Sequence, residues 1–204
     1  MSLPNSLTAL RILLTPVFVA FLFSESPFFK QLSLVVFIVA ALTDYYDGWV
    51  ARKFGDSTRF GKYLDPLADK ILSSAALFSY VYLDLVSGWM VWIIVVRDFL
   101  ITGLRSYAEY KDQPIVTSRP AQAKTFGEYV VIYYILIFHV ARSVQLLQAD
   151  YRSLIDSLMD SQVLFGMMLL VTLMSVGTGA MYVFEYRKFI KEIYLAILDK
   201  PNAK

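Results

Sequence analysis

The chain has 204 residues, 57% of them hydrophobic, with a mean hydropathy of +0.55 and a formal net charge of only +2. That composition excludes an ordinary soluble domain and implies a polytopic helical membrane protein, all-α and folded as a single domain over 1–204. Cysteine is absent, so disulfides and thiolate metal sites are excluded, and no basic patch suggests nucleic-acid binding.

The opening Pro4-Asn5-Ser6-Leu7-Thr8 carries helix-start chemistry and predicts a short N-terminal interfacial segment. Asn5, Thr8 and Arg11 recur every three residues. They form either a polar stripe on an apolar helix or a cap followed by one arginine snorkelling to the interface. A first membrane span is predicted over 7–23, ended by the polar turn Ser24-Glu25-Ser26-Pro27. It reads as a retained helix, because a signal peptide would need a basic region before Arg11 and a small-residue cleavage site after Phe23. Further spans are predicted over 31–50, 61–82, 89–107, 124–140 and 163–184, six transmembrane helices in all. Residues 108–123 form a polar connector, 142–160 a mixed amphipathic segment outside the membrane, and a basic tail closes the chain.

The basic residues orient these spans. Arg52, Lys53 and Arg59, then Arg105, Lys111, Arg119 and Lys124, then Arg187, Lys188 and Lys191 fall on one side of a six-span topology. The other side has Lys30, Arg142 and Arg152, offset by Glu25, Asp84, Asp150, Asp156 and Asp160. The positive-inside rule places the first side, with both termini, in the cytoplasm.

Residues 43–70 read TDYYDGWVARKFGDSTRFGKYLDPLADK. Asp44 and Asp47 are three apart, and Asp65 and Asp69 four apart, so on helices each pair shares a face. An antiparallel hairpin would bring both pairs together. Four carboxylates beside lipid repel one another and resist ionisation unless cations lie between them. Oxygen-only donors suit Mg²⁺ or Mn²⁺. The competing reading is a solvated, helix-capping rim. Gly48 and Ala51 follow Asp44 on the same face, leaving room for a ligand or for a close helix. The fourth span buries Arg97 and Asp98, an expensive pair unless it faces a cavity or a partner. Arg105 lies roughly 12 Å further along that helix. Together with Lys124 these residues make either an intramembrane salt-bridge network or a cationic pocket for an anionic acceptor. His139, the single histidine, reads as a packed, hydrogen-bonded residue, and Gly55 as a turn former.

Asp44-x-x-Asp47-Gly48-x-x-Ala51-Arg52, eight further residues, then Gly61-x-x-x-Asp65-x-x-x-Asp69, resembles the full CDP-alcohol phosphotransferase signature. The resemblance implies transfer of a phosphatidyl or similar group from a CDP-activated donor to an alcohol, releasing CMP. It implies two Mg²⁺ or Mn²⁺ ions, one held by Asp44, Asp47 and Asp65 and one by Asp69 with Asp44 and Asp65. Asp69 would be the base that takes the acceptor proton. Asn5, Thr8, Asp47, Gly48, Ala51, Arg52, Gly61 and Asp65 would line the nucleotide side. Residues 97–105, RDFLITGLR, are similar to the fourth helix of phosphatidylglycerophosphate synthases. That similarity implies CDP-diacylglycerol as donor and glycerol 3-phosphate as acceptor, held by Arg97, Arg105 and Lys124. Where that pattern has Gly-Lys before the Lys-Thr pair, this chain has Ala121-Gln122, and Glu128 replaces a glutamine. Another alcohol, such as inositol phosphate or serine, is the alternative acceptor. A non-enzymatic cation carrier is the alternative of another class. A homodimer in a bacterial plasma membrane completes the expectation.

Overall fold

Seven helices account for the regular structure of the computed structural model, which describes residues 3–54, 59–111 and 115–187 with 189 and 191. Side chains are described for these residues apart from 3–5, 44, 45, 47–54, 59–65, 110, 146, 148 and 149. The helices are α1 (Leu3–Leu22), α2 (Pro27–Phe54), α3 (Arg59–Tyr82), α4 (Gly88–Tyr110), α5 (Arg119–Ala141), α6 (Gln145–Leu158) and α7 (Ser161–Glu185). The all-α expectation holds, and six of these helices overlie the predicted spans. The opening segment expected at the interface is already the first turns of α1.

Local chemistry explains several boundaries. Pro120 occupies the first turn of α5, where its fixed φ suits a helix and its missing N–H costs nothing. Asp160 caps α7, accepting from the Gln162 N–H at 2.8 Å. α6 replaces the amphipathic outer segment with a 14-residue helix interrupted at Tyr151 (φ −126, ψ 15). Leu147, Tyr151 and Leu154 are exposed along it.

Packing divides the bundle into two levels. At one level Phe18, Phe37, Leu72, Tyr80, Ile94, Ile132 and Leu136 are fully buried or nearly so. There Phe37 bridges Phe18 and Tyr133, with ring centroids 5.1 and 5.2 Å apart, and Tyr80 donates to the Ile132 carbonyl at 2.9 Å. The next turns of α3, α4 and α5, toward the α4–α5 connector, bury charge instead. α4 packs on α3 and α7, and α5 also packs on α3 and α7, so four helices converge there.

Apolar side chains also face outward. Trp89, Trp92, Val96 and Leu100 of α4 are exposed at helical spacing, while Asp98 is buried on the opposite face. This inverts the pattern of a soluble bundle and suits a helix with lipid outside and polar partners inside. Among the described residues two helices, Arg119–Ala141 and Ser161–Glu185, are long and apolar enough to cross a membrane.

Candidate active site

Asp98 is the hub of the buried charge. Its Oδ1 lies 2.5 Å from Lys124 Nζ and 2.9 Å from Arg97 Nη1, and its Oδ2 lies 3.1 Å from Lys70 Nζ. Three helices therefore each contribute one cation: α3, α4 and α5. Lys124 is also 2.6 Å from Glu128 Oε2, one turn along α5. Lys70 reaches toward Asp69 Oδ2 at 3.7 Å, and Tyr129 donates its hydroxyl to Asp69 Oδ1.

α7 supplies the remaining wall. Arg97 Nη2 donates to Thr178 Oγ1 at 2.9 Å, and its guanidinium lies 6.0 Å from the Tyr182 ring centre. Gly179 permits this approach, because a Cβ there would stand 3.2 Å from Arg97 Cγ. The Tyr182 hydroxyl accepts from the Ser118 N–H at 3.2 Å, tying the start of α5 to α7.

Exposure falls along a gradient. Lys124 is sealed at 0%, with Asp98 and Glu128 at 2%; Lys70 and Arg97 reach 12% and 14%, and Asp69 reaches 22%. The network is closed at α5 and opens at Asp69. Buried charges of this kind persist only when paired, and here each described member has an opposite charge in reach.

The sequence-predicted residues distribute as follows. Asp44 and Asp47 lie on α2 and Asp65 and Asp69 on α3, consecutive helices that touch one another. The Asp69 side chain is described; those of Asp44, Asp47 and Asp65 lie outside the described residues, as do Asn5, Gly48, Ala51, Arg52 and Gly61 on the nucleotide side. Gly55 also lies outside them. Among the described residues there is no group of three or more candidate metal ligands. Thr8 is buried, and Arg11 is fully buried rather than snorkelling, because α1 packs on α2 and α3. Arg97 and Lys124 meet on Asp98, whereas Arg105 is exposed near the end of α4. The salt-bridge alternative thus describes the geometry of Arg97 and Lys124. His139 is packed, and its Nε2 is buried without a hydrogen-bond partner among the described residues.

Sequence reasoning assigned no role to Lys70, Tyr129, Thr178, Gly179 or Tyr182. One signal was present. Thr172, Ser175, Thr178 and Tyr182 follow helical spacing on an otherwise apolar α7, and all four are buried.

The chain thus carries paired aspartates on two consecutive helices, with a cationic network beside Asp69. The chain belongs to the CDP-alcohol phosphatidyltransferase family, whose family model matches residues 1–149. Helices α1 to α5 fall inside that match, and α7 lies beyond it.

Individual relatives sharpen this. A Bacillus subtilis protein named CDP-diacylglycerol–glycerol-3-phosphate 3-phosphatidyltransferase is 36% identical over 151 residues, 68% of this chain and 78% of its own length. A Rickettsia felis protein of the same name is 35% identical over 125 residues, 61% of this chain and 69% of its own length. One from Salmonella typhimurium is 32% identical over 141 residues, covering 66% and 76%.

Proposed function

We propose that the chain transfers a phosphatidyl group from CDP-diacylglycerol to glycerol 3-phosphate, giving phosphatidylglycerophosphate and CMP in phospholipid biosynthesis. The observation that carries this reading is the aspartate signature on α2 and α3, in a chain whose residues 1–149 match the family model and which is 36% identical over 151 residues to a protein of that named activity.

Asp44, Asp47, Asp65 and Asp69 form an oxygen-only donor set that suits Mg²⁺ or Mn²⁺. The described member is compatible with this. Asp69 accepts from Tyr129 on one oxygen and is partly exposed, so it retains lone pairs for a ligand. Asp44, Asp47 and Asp65 would hold one ion, and Asp69 a second with Asp44 and Asp65. When bound, such ions neutralise charge on the donor pyrophosphate and its transition state.

The chain supplies the rest. Asn5, Thr8, Gly48, Ala51, Arg52 and Gly61 would shape the nucleotide side. Asp69 takes the acceptor hydroxyl proton as the acceptor oxygen bonds to the lipid-linked phosphorus, and the bond from that phosphorus to CMP breaks. Arg105, exposed on α4, would meet the acceptor phosphate first. Arg97 forms the inner wall, and Lys124 supports it from behind through Asp98. The six long helices would span a bacterial plasma membrane as part of a homodimer, with the site facing the cytoplasm and the lipid tails left in the bilayer.

A different alcohol is the second reading, favoured by Glu128, whose carboxylate occupies Lys124 inside the cationic wall. The purified protein in detergent with CDP-diacylglycerol and Mn²⁺ or Mg²⁺ should release CMP only when glycerol 3-phosphate is added. Release with serine or inositol phosphate alone would change the acceptor. No release with any alcohol would defeat the transferase reading. Asp69→Asn should abolish release while keeping part of the Mn²⁺-dependent rise in unfolding temperature.

A further inference from the structure

The described hydrogen bond to the reactive carboxylate comes from a residue outside the aspartate signature. Tyr129 is on α5 and Asp69 on α3, sixty positions apart in sequence. Lys70 stands 3.7 Å from Asp69 Oδ2, beyond hydrogen-bond range, and its ammonium is drawn instead to Asp98 at 3.1 Å. Lys70 thus contributes charge at Asp69, and Tyr129 contributes direction.

The tyrosine is itself tightly placed. It follows Glu128, and the rotation of α5 is fixed by Lys124 on Asp98 of α4, both almost sealed from solvent. The start of the same helix is tied to α7 through Ser118 and Tyr182. Tyr133, one turn further, packs its ring 6.5 Å from that of Tyr129. A phenol on a fixed backbone has only two torsions to set, so its hydroxyl occupies a narrow volume.

We propose that Tyr129 is a positioning residue for the transfer: its hydroxyl engages Oδ1 of Asp69 and so reserves Oδ2 for the acceptor hydroxyl. The inference rests on Asp69 being the proton acceptor. The two oxygens of a free carboxylate are equivalent, and one fixed donor removes that equivalence. An aspartate at the open edge of the network would otherwise turn about its side-chain torsions, and only part of its population would point at the acceptor.

Tyr129→Phe deletes one oxygen and keeps the ring, so the full chain should fold. In detergent with CDP-diacylglycerol, glycerol 3-phosphate and Mn²⁺, kcat should fall roughly tenfold, while KM for both substrates changes less than about twofold. The Mn²⁺ concentration that half-stabilises the protein against heat should also shift less than about twofold. Unchanged kcat overturns the proposal. So does a rate loss that saturating Mn²⁺ restores, because Tyr129 would then support metal affinity. Asp69→Asn separates the two levels. If it is inactive while Tyr129→Phe is fully active, only the positioning role fails; if Asp69→Asn turns over normally, the base assignment fails and the positioning role with it.

Discussion

Lys124–Glu128 on α5 and Arg152–Asp156 on α6 are the same motif in opposite surroundings. Each places a base four residues before an acid, and each has a partner from another part of the chain: Asp98 at 2.5 Å in the first case, Arg142 at 3.0 Å in the second. The α5 pair is sealed, whereas Arg142, Arg152 and Asp156 are 38%, 79% and 51% exposed. Water and salt screen the outer cluster, and long exposed side chains lose entropy by pairing. Inside, removing one partner strands the other without solvent. Surroundings, more than charge type or spacing, decide what the motif contributes.

The largest test strands a charge. Lys124→Met should cost about 3–5 kcal/mol, read as a loss of unfolding free energy in detergent, because Glu128 stays buried without its cation. Lys124→Met combined with Glu128→Leu should recover most of that loss, since an apolar pair replaces an ion pair. Failure of the double variant to recover would mean that the pair acts through Asp98 more than through its own burial. A smaller effect is expected at Gly179→Ala, where a methyl pressed on Arg97 Cγ should raise KM for glycerol 3-phosphate several-fold and leave the donor KM unchanged. Smallest is Asp156→Asn on the outer face, expected within about 0.5 kcal/mol of the parent. A cost above about 2 kcal/mol there would erase the contrast between the two clusters.

The helices were legible because apolar runs of bilayer length separated by polar turns leave few alternatives. The outer segment was legible as amphipathic, but its helix with an interruption at Tyr151 was not, since a short helix depends on what it packs against. It is held in part by Tyr134, which donates to the Leu158 carbonyl at 2.8 Å. At the site, spacing along one helix could pair Asp65 with Asp69, or Lys124 with Glu128. It could not bring Tyr129 to Asp69, or Thr178 and Gly179 to Arg97, because those contacts arise only when α5 and α7 dock. Arg11 illustrates the same limit. A lone arginine near the start of an apolar helix has the pattern of a snorkelling residue, yet helix packing seals it.

The i,i+4 spacing of Lys124 and Glu128 also bears on how the chain is made. An isolated ammonium on a nascent α5 would meet a penalty that reaches about 2.5–3.5 kcal/mol at the bilayer centre and is smaller near the span end, where Lys124 lies. Lys124 carries its counter-ion on its own helix, so the two can pair before α3 or α4 is met. Docking then adds Asp98 to a pair that already exists. The Lys124–Glu128 segment of α5 would therefore reach a membrane as a nearly neutral dipole, with Lys124 already paired before the rest of the cluster assembles.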